Sequence, residues 1–395
     1  MSDYYLPPEV LTDVLLRLPV KTLLRCRTVC KDWYALITNP NFISQHLEKT
    51  LATPPPYALV RYCTQDSNPP SSDLEERYSV RFDHDNSAFD EYAEPSFPFK
   101  SSGSCFEVVG SCNGLVCLFD GVSRDESDQL LIWNPLVGKS VVVPLPRDSS
   151  DSFSAGHCCN FGFEYDELRK DYKVVGIMSL ELQLQGQLRA GVYSLNSGIW
   201  REISTKGIRI GLRFDEPVAY LNGVAHWYVC DRSKPLDDTK RSCITTFGFE
   251  DEEFGELMLP EFGELMLPMF GVVSGTMMRL QDSLSLIDIA PYPEDSNNFI
   301  WWVWVMKEYG VGQSWTLLYR VHTGDTLHGL VGFRMNGDLV MATNEGSLVT
   351  YDPESEQVMD LGIHGIEEQG ESIDSVYMGR YVESLVLLDR TPVLT

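Results

Sequence analysis

The sequence predicts a multidomain α+β chain, with a small helical unit at the N-terminus and a large, mostly antiparallel all-β domain after it. Three observations carry this. Apolar residues recur at helical spacing in roughly the first fifty positions and hardly anywhere else. From residue 100 onward, short apolar or alternating runs are separated by turn residues. An aromatic residue leading into a polar turn then returns five times at a loose interval.

Composition sets the outer limits. A chain of 395 residues exceeds one ordinary core and fits two or three domains, and 43% hydrophobic with 11% aromatic residues fits folded globular protein. The strongest apolar run, Phe299–Met306, has the length and composition of a strand, so no membrane partner is expected. The start, Met1-Ser2-Asp3-Tyr4-Tyr5, lacks the basic residues and apolar core of a signal peptide. With no Asn-x-Ser/Thr sequon, the expected address is cytoplasmic or nuclear. The ten cysteines are scattered without a CxxC pair, which argues against zinc and for small buried hydrophobes in a reducing compartment. The formal charge is −26. Residues 1–50 carry net +1, so the remainder holds −27. Such a surface repels phosphates, which disfavours nucleic acid, and favours a basic protein partner. Solubility alone explains the acidity equally well.

The helical unit is read in order. Pro7-Pro8 open a helix carrying Val10, Leu11, Val14, Leu15 and Leu18, and Pro19 stops it. A second helix carries Leu23 and Leu24. A third carries Val29, Cys30, Trp33, Leu36 and Ile37 and ends at Asn39-Pro40; Phe42, Ile43 and Leu47 begin one more turn or helix. The apolar stripe of the first helix is wider than so small a core needs. Part of it stays exposed unless a partner covers it. The segment therefore reads as a docking module.

The run from Leu6 through Arg27, continued by Val29-Cys30-Lys31-Asp32-Trp33-Tyr34-Ala35-Leu36-Ile37, Pro40-x-Phe42 and His46-Leu47, resembles the plant F-box in order and spacing. The resemblance implies a three-helix F-box over 1–50 that docks a Skp-type adaptor and, through it, cullin and a RING protein. The adaptor face and its supporting core would come from Leu6, Pro7, Val10, Leu11, Leu15, Leu18, Leu23, Leu24, Val29, Cys30 and Trp33. Sequence does not divide contact residues from supporting ones. The plain alternative is an N-terminal cap on the chain's own β-domain.

Residues 51–95 read as a connector with candidate first strands, interrupted by Pro54-Pro55-Pro56 and Pro69-Pro70-Ser71-Ser72. Beyond it, over 96–395, Asn113-Gly114, Asn222-Gly223 and Asn336-Gly337 mark tight hairpins. The aromatic phrase occurs at Trp133-Asn134-Pro135, Tyr193–Gly198, Phe247-Gly248-Phe249-Glu250, Trp304–Lys307 and Tyr351-Asp352-Pro353. Its spacing matches four-stranded β-propeller blades with variable loops. A large β-sandwich is the alternative. A tandem octapeptide, Glu253–Pro260 repeated as Glu261–Pro268, is too short for a structural unit and reads as a duplication in a loop or strand extension.

Ser111–Cys117, Trp133–Leu136, Phe161–Asp166, Asp171–Val175, Val192–Leu195, Trp200-Arg201, Asn222–Trp227 and Trp304–Gly310 are similar, in the same order, to the F-box-associated domain of plant F-box proteins of the S-locus-F-box-like kind. This resemblance implies a β-propeller that binds a target protein. Proteins of this build are often called F-box/kelch, yet no Gly-Gly pair occurs here, so a true kelch signature is absent and the number of blades stays open.

Catalytic patterns in the chain are imitations that fail on context. Gly110-Ser111-Cys112-Asn113-Gly114 imitates a nucleophile elbow, but a strand comes next where a helix is required. Gly138-Lys139-Ser140 lacks the first glycine of a phosphate loop, and His157-Cys158-Cys159 has no partner ligands at suitable spacing. No catalytic residue, cofactor or metal is assigned, and target-contacting residues are not assigned either. Trp301 and Tyr309 are tempting, although aromatics in β-rich domains are more often core. The expected function is a non-catalytic ubiquitin-ligase receptor; a non-degradative scaffold and a propeller hydrolase or carbohydrate-binding module are the alternatives.

Overall fold

The computed structural model describes residues 7–53, 57–65, 74–84, 89–101, 105–121, 129–145, 157–180, 188–208, 213–230, 242–259, 274–292, 295–322, 327–366 and 375–389. Four helices come first: α1 (Pro8–Leu15), α2 (Val20–Cys26), α3 (Lys31–Ile37) and α4 (Pro40–Leu51). Proline marks the starts of α1, α2 and α4, because a helix start has no use for the missing N–H. Cys30 caps α3, its thiol accepting the Trp33 N–H at 3.5 Å, and the Asn39 side chain caps α4 by accepting from Asn41 N at 2.9 Å. The element expected from Phe42 onward as one more turn or helix is a helix, and at 12 residues the longest of the four.

The strands form six four-stranded antiparallel sheets. The first blade contains β1 (Tyr57–Gln65), β2 (Leu74–Phe82) and β3 (Glu91–Ala93). The second runs through β4 (Glu107–Cys112), β5 (Leu115–Asp120), β6 (Gln129–Asn134) and β7 (Lys139–Val143). The third has β8 (His157–Asp166), β9 (Asp171–Leu180), β10 (Arg189–Ser194) and β11 (Ile199–Ile203). The fourth has β12 (Arg213–Leu221), β13 (Val224–Cys230), β14 (Ser242–Gly248) and β15 (Phe254–Leu257). The fifth has β16 (Ser274–Leu280), β17 (Ser283–Tyr292), β18 (Asp295–Met306) and β19 (Trp315–His322). The sixth has β20 (Leu327–Phe333), β21 (Leu339–Thr343), β22 (Ser347–Asp352) and β23 (Gln357–His364). The last strand, β24 (Val376–Tyr381), returns to pair with β1, from Tyr57↔Tyr381 to Tyr62↔Val376.

This is a six-bladed propeller whose ring is closed by a strand from the far end of the chain. The innermost strands meet one another around the axis, and a separate apolar cluster fills the space between every neighbouring pair of blades. Trp133 sits between blades one and two and Trp227 between three and four, both almost fully buried. At the seam, Arg334 of blade six donates to Asp83 of blade one at 2.9 Å and to His84 O at 3.1 Å. Asp83 also accepts the Met335 N–H at 3.0 Å, so a buried ion pair is matched by backbone bonds on both sides.

The aromatic phrase turns out to have one structural meaning. Trp133, Tyr193, Phe247, Trp304 and Tyr351 all lie at or near the end of the third strand of a blade, at the turn into the fourth. Phe82-Asp83-His84, at the end of β2, occupies the same place in the first blade. Residues 51–95, expected as a connector with candidate first strands, thus contribute β1, β2 and β3.

Two of the three Asn-Gly hairpins have both residues left-handed: Asn113 and Gly114 at φ 51° and 80°, Asn222 and Gly223 at 56° and 72°. The third differs. Only Gly337 of that pair is left-handed, at φ 98°. Gly337 N bonds Arg334 O at 3.0 Å and Arg334 N bonds Asp338 O at 2.9 Å, which makes a longer loop ending on a glycine bulge. Cys63 and Cys105 are paired as a disulfide across 42 residues, against the expectation of thiols, with Cα atoms 7.2 Å apart. Within the octapeptide repeat, Phe254–Leu257 of the first copy forms β15; the second copy lies outside the described residues.

Candidate functional site

The F-box helices enclose a small core of Leu15, Val20, Leu23, Ile37, Phe42 and Ile43. His46 closes it from α4: the ring is 2% exposed and its Nε2 meets Leu18 O at 3.0 Å. Burial, more than anything else, pushes the His46 pKa down and keeps the ring neutral. Outside the core, Asp13 takes ion pairs from Arg17 at 2.9 Å and Lys49 at 3.1 Å, tying α1 to α4. The hydrogen bonds from Lys49 and Arg17 hold its carboxyl below the usual range.

The eleven positions singled out from sequence divide by burial. Leu15 and Leu23 are 1% and 0% exposed. They hold the helices together and present nothing to a partner, because their side chains are already enclosed by Ile37 and Phe42. Leu11, Leu18, Leu24 and Trp33 are half-buried against the same core. Pro7, Val10, Val29 and Cys30 are exposed, with Val10 at 46% and Val29 at 67%. Leu6 lies outside the described residues. Three further uncovered groups were not singled out, Val14, Tyr34 and, at the end of α4, Leu51. Val14 was legible, since its i, i+4 spacing from Val10 puts both on one side of α1.

The F-box is seated on one end of the propeller. Antiparallel meanders place the turns between first and second and between third and fourth strands at one end of every blade. Leu136 and Val137, in the β6–β7 turn, pack against the F-box cluster, and Lys21 of α2 reaches Tyr92 at the start of β3. The segment after β24 runs between the two parts. Leu385 and Leu388 complete the F-box core, while Leu387 is buried between blades two and three. Asn134 fixes this segment by donating to Ser384 O at 3.0 Å and Val386 O at 2.9 Å. No sequence signal marked these residues.

On the same end, Tyr309 is 41% exposed with its hydroxyl 2.9 Å from His226 Nε2, whereas Trp301 is core between blades five and six. Cys112 ends β4 and leads through the Asn113-Gly114 turn into β5, so the elbow-like pentapeptide is strand-to-strand. Its thiol meets the half-buried Glu164 carboxyl at 2.5 Å, and desolvation raises the pKa of both groups. A thiol held protonated is a poor nucleophile. Among the described residues no helix is long and apolar enough to cross a membrane.

Comparison with known proteins agrees with this architecture. Residues 5–45 match the F-box domain, and residues 73–392 match the F-box associated beta propeller domain. The chain is 27% identical to the F-box protein CPR1 of Arabidopsis thaliana over 386 residues, covering 91% of this chain and 84% of that protein. It is 28% identical to the F-box/kelch-repeat protein At3g23880 of the same plant, covering 81% and 80%. Among solved structures, Aleuria aurantia lectin superposes with a TM-score of 0.37 and 10% identity, over 80% of this chain and 97% of the lectin. With an F-box at one end and the matched propeller filling most of the remaining length, the chain belongs to the F-box proteins that carry an F-box-associated β-propeller.

Proposed function

We propose that this protein is the substrate-receptor subunit of an SCF-type cullin–RING ubiquitin ligase, active in the cytoplasm or nucleus and performing no chemistry itself. The F-box holds a Skp-type adaptor, and through it cullin and the RING protein. The propeller holds a target protein for ubiquitination and proteasomal degradation. Rate enhancement comes from proximity, because target lysines are kept at high effective concentration beside the charged ubiquitin carrier.

The observation that carries this reading is the exposure of Val10, Val14, Val29 and Tyr34 on a helical unit whose core is filled by other residues, Leu385 and Leu388 among them. Apolar side chains left in water beside a finished core are what a docking surface offers. Among the described residues the F-box packs on the propeller end where the first-to-second and third-to-fourth turns lie, so a target is assigned to the opposite end. The charge of −27 beyond residue 50 supports a basic target, drawn in by long-range attraction.

Co-purification of the full chain with a Skp-type adaptor tests the first half. Val10→Asp combined with Val29→Asp is the matched variant, since neither side chain supports the fold. Binding by the wild type and a loss of about a hundredfold in the variant are expected, as for apolar anchors at an interface centre. No binding by the wild type overturns the proposal. Target stability measured with and without proteasome activity then separates a degradative receptor from a scaffold.

A further inference from the structure

The segment Val382–Leu388 is held by the F-box on one side and by the propeller on the other. Toward the F-box, one oxygen of the Glu383 carboxylate accepts the Val20 N–H at 3.1 Å. Val20 opens α2, and the residue before it is Pro19, whose side chain makes no capping bond. The helix therefore takes its N-terminal cap from a residue 363 positions downstream. The same oxygen accepts the Tyr92 hydroxyl at 3.0 Å from β3 of the first blade. Lys21 stands 4.5 Å over the Tyr92 ring and bonds its backbone oxygen, and Tyr57 stacks on Tyr92 at 4.6 Å. Glu383 is 7% exposed.

The next residues repeat the pattern with apolar groups. Leu385 and Leu388 enter the F-box core, Leu387 enters the core between blades two and three, and Val386 touches both. Leu388 N bonds Leu385 O at 2.9 Å, closing a tight turn. Its third residue, Leu387, has φ 72°, the left-handed position glycine usually fills. A leucine stays there only when its surroundings over-determine it. Here they do, since the side chain is 2% exposed and its neighbours on either side are held by the F-box.

We propose that Glu383 and the Leu385–Leu388 turn form the joint that fixes the angle between the F-box and the propeller, with Glu383 a positioning residue. This rests on the receptor reading for its consequence, because the angle decides where bound target faces the ligase, but the joint itself is tested independently. A carboxylate that caps α2 and accepts from Tyr92 at once ties the adaptor-docking helices to blade one. The turn then ties them to blades two and three.

The test uses the full chain carrying two spin labels, introduced as unnatural amino acids at the exposed positions Arg17 in the F-box and Glu202 on β11. Pulsed distance measurement should give a single narrow distribution for the wild type. Glu383→Ala and Leu388→Ala should each broaden it about twofold or more, as a local opening would. Glu383→Gln, which keeps an acceptor oxygen, should restore most of the sharpness. Adaptor affinity should stay within about threefold of wild type in the two Glu383 variants, which leave the F-box core side chains in place, while ubiquitin transfer to a bound target slows in Glu383→Ala. A distribution as narrow in Glu383→Ala and Leu388→Ala as in the wild type overturns the joint. So does a loss of adaptor binding in Glu383→Ala that parallels the broadening, because the F-box has then collapsed rather than turned. A wild type that binds no adaptor removes the receptor reading, while the distance distributions still decide the joint.

Discussion

The F-box and the propeller solve the problem of a small core in opposite ways. Each blade contributes to two inter-blade clusters, so the propeller fills its cores almost wholly from its own blades and closes on itself through β24. Leu387 is the contribution of the segment after that strand. The F-box spans 45 described residues from Pro8 to Ala52, too few to bury a self-sufficient core, and takes Leu385 and Leu388 from the segment after β24. The larger part is autonomous and the smaller part depends on it. Dependence in one direction is the testable content of that contrast.

A matched pair of core truncations gives the largest effects. Trp227→Ala should cost about 3–5 kcal/mol and Leu23→Ala about 2–5 kcal/mol. Read by hydrogen exchange, Trp227→Ala should lower protection in both parts, and Leu23→Ala only in the F-box. Equal loss of propeller protection in Leu23→Ala breaks the comparison. Asn134→Ala, which deletes two donors buried against Ser384 O and Val386 O, should cost about 1–3 kcal/mol. That loss should fall on the F-box side of the exchange map, although Asn134 belongs to β6 of the propeller. A loss confined to blade two would argue that the tail does not carry stability across.

The smallest effect separates the two parts by pH. The folded-state pKa of His46 is depressed by burial, so its contribution is present above the unfolded value of 6.5. It is lost as pH falls from there toward the folded value, when protonation favours the unfolded F-box. Glu383 has the opposite sign: burial raises its folded pKa above the ordinary 4.5, so its contribution is present below 4.5 and fades as pH rises through the folded value. Between pH 7 and 5.5 the F-box should therefore weaken, and His46→Gln should flatten that dependence. An unaltered slope in the variant would assign the pH response elsewhere.

Much of this was legible in sequence because it is local. The F-box rests on helical spacing and proline punctuation within fifty residues, and five aromatic phrases mark the blade period since each blade ends its third strand the same way. The sixth, Phe82-Asp83-His84, is hidden by the proline-rich and charged stretches around it. Long-range facts left no trace. The pairing of β24 with β1, the cap on α2 from Glu383 and the Arg334–Asp83 seam join residues more than 250 positions apart or nearly the whole chain. Within the helical unit, sequence could not divide Leu15 and Leu23, which are core, from Val10 and Val29, which are exposed.

The ring closure also orders events in time. The F-box helices precede the propeller in the chain, yet the leucines that finish their core come after the strand that closes it. A nascent chain stopped before Val376 has neither a closed ring nor a complete F-box core. The F-box helices thus gain their full packing only once the whole propeller has been made, which on the proposed reading delays recruitment until the receptor is finished.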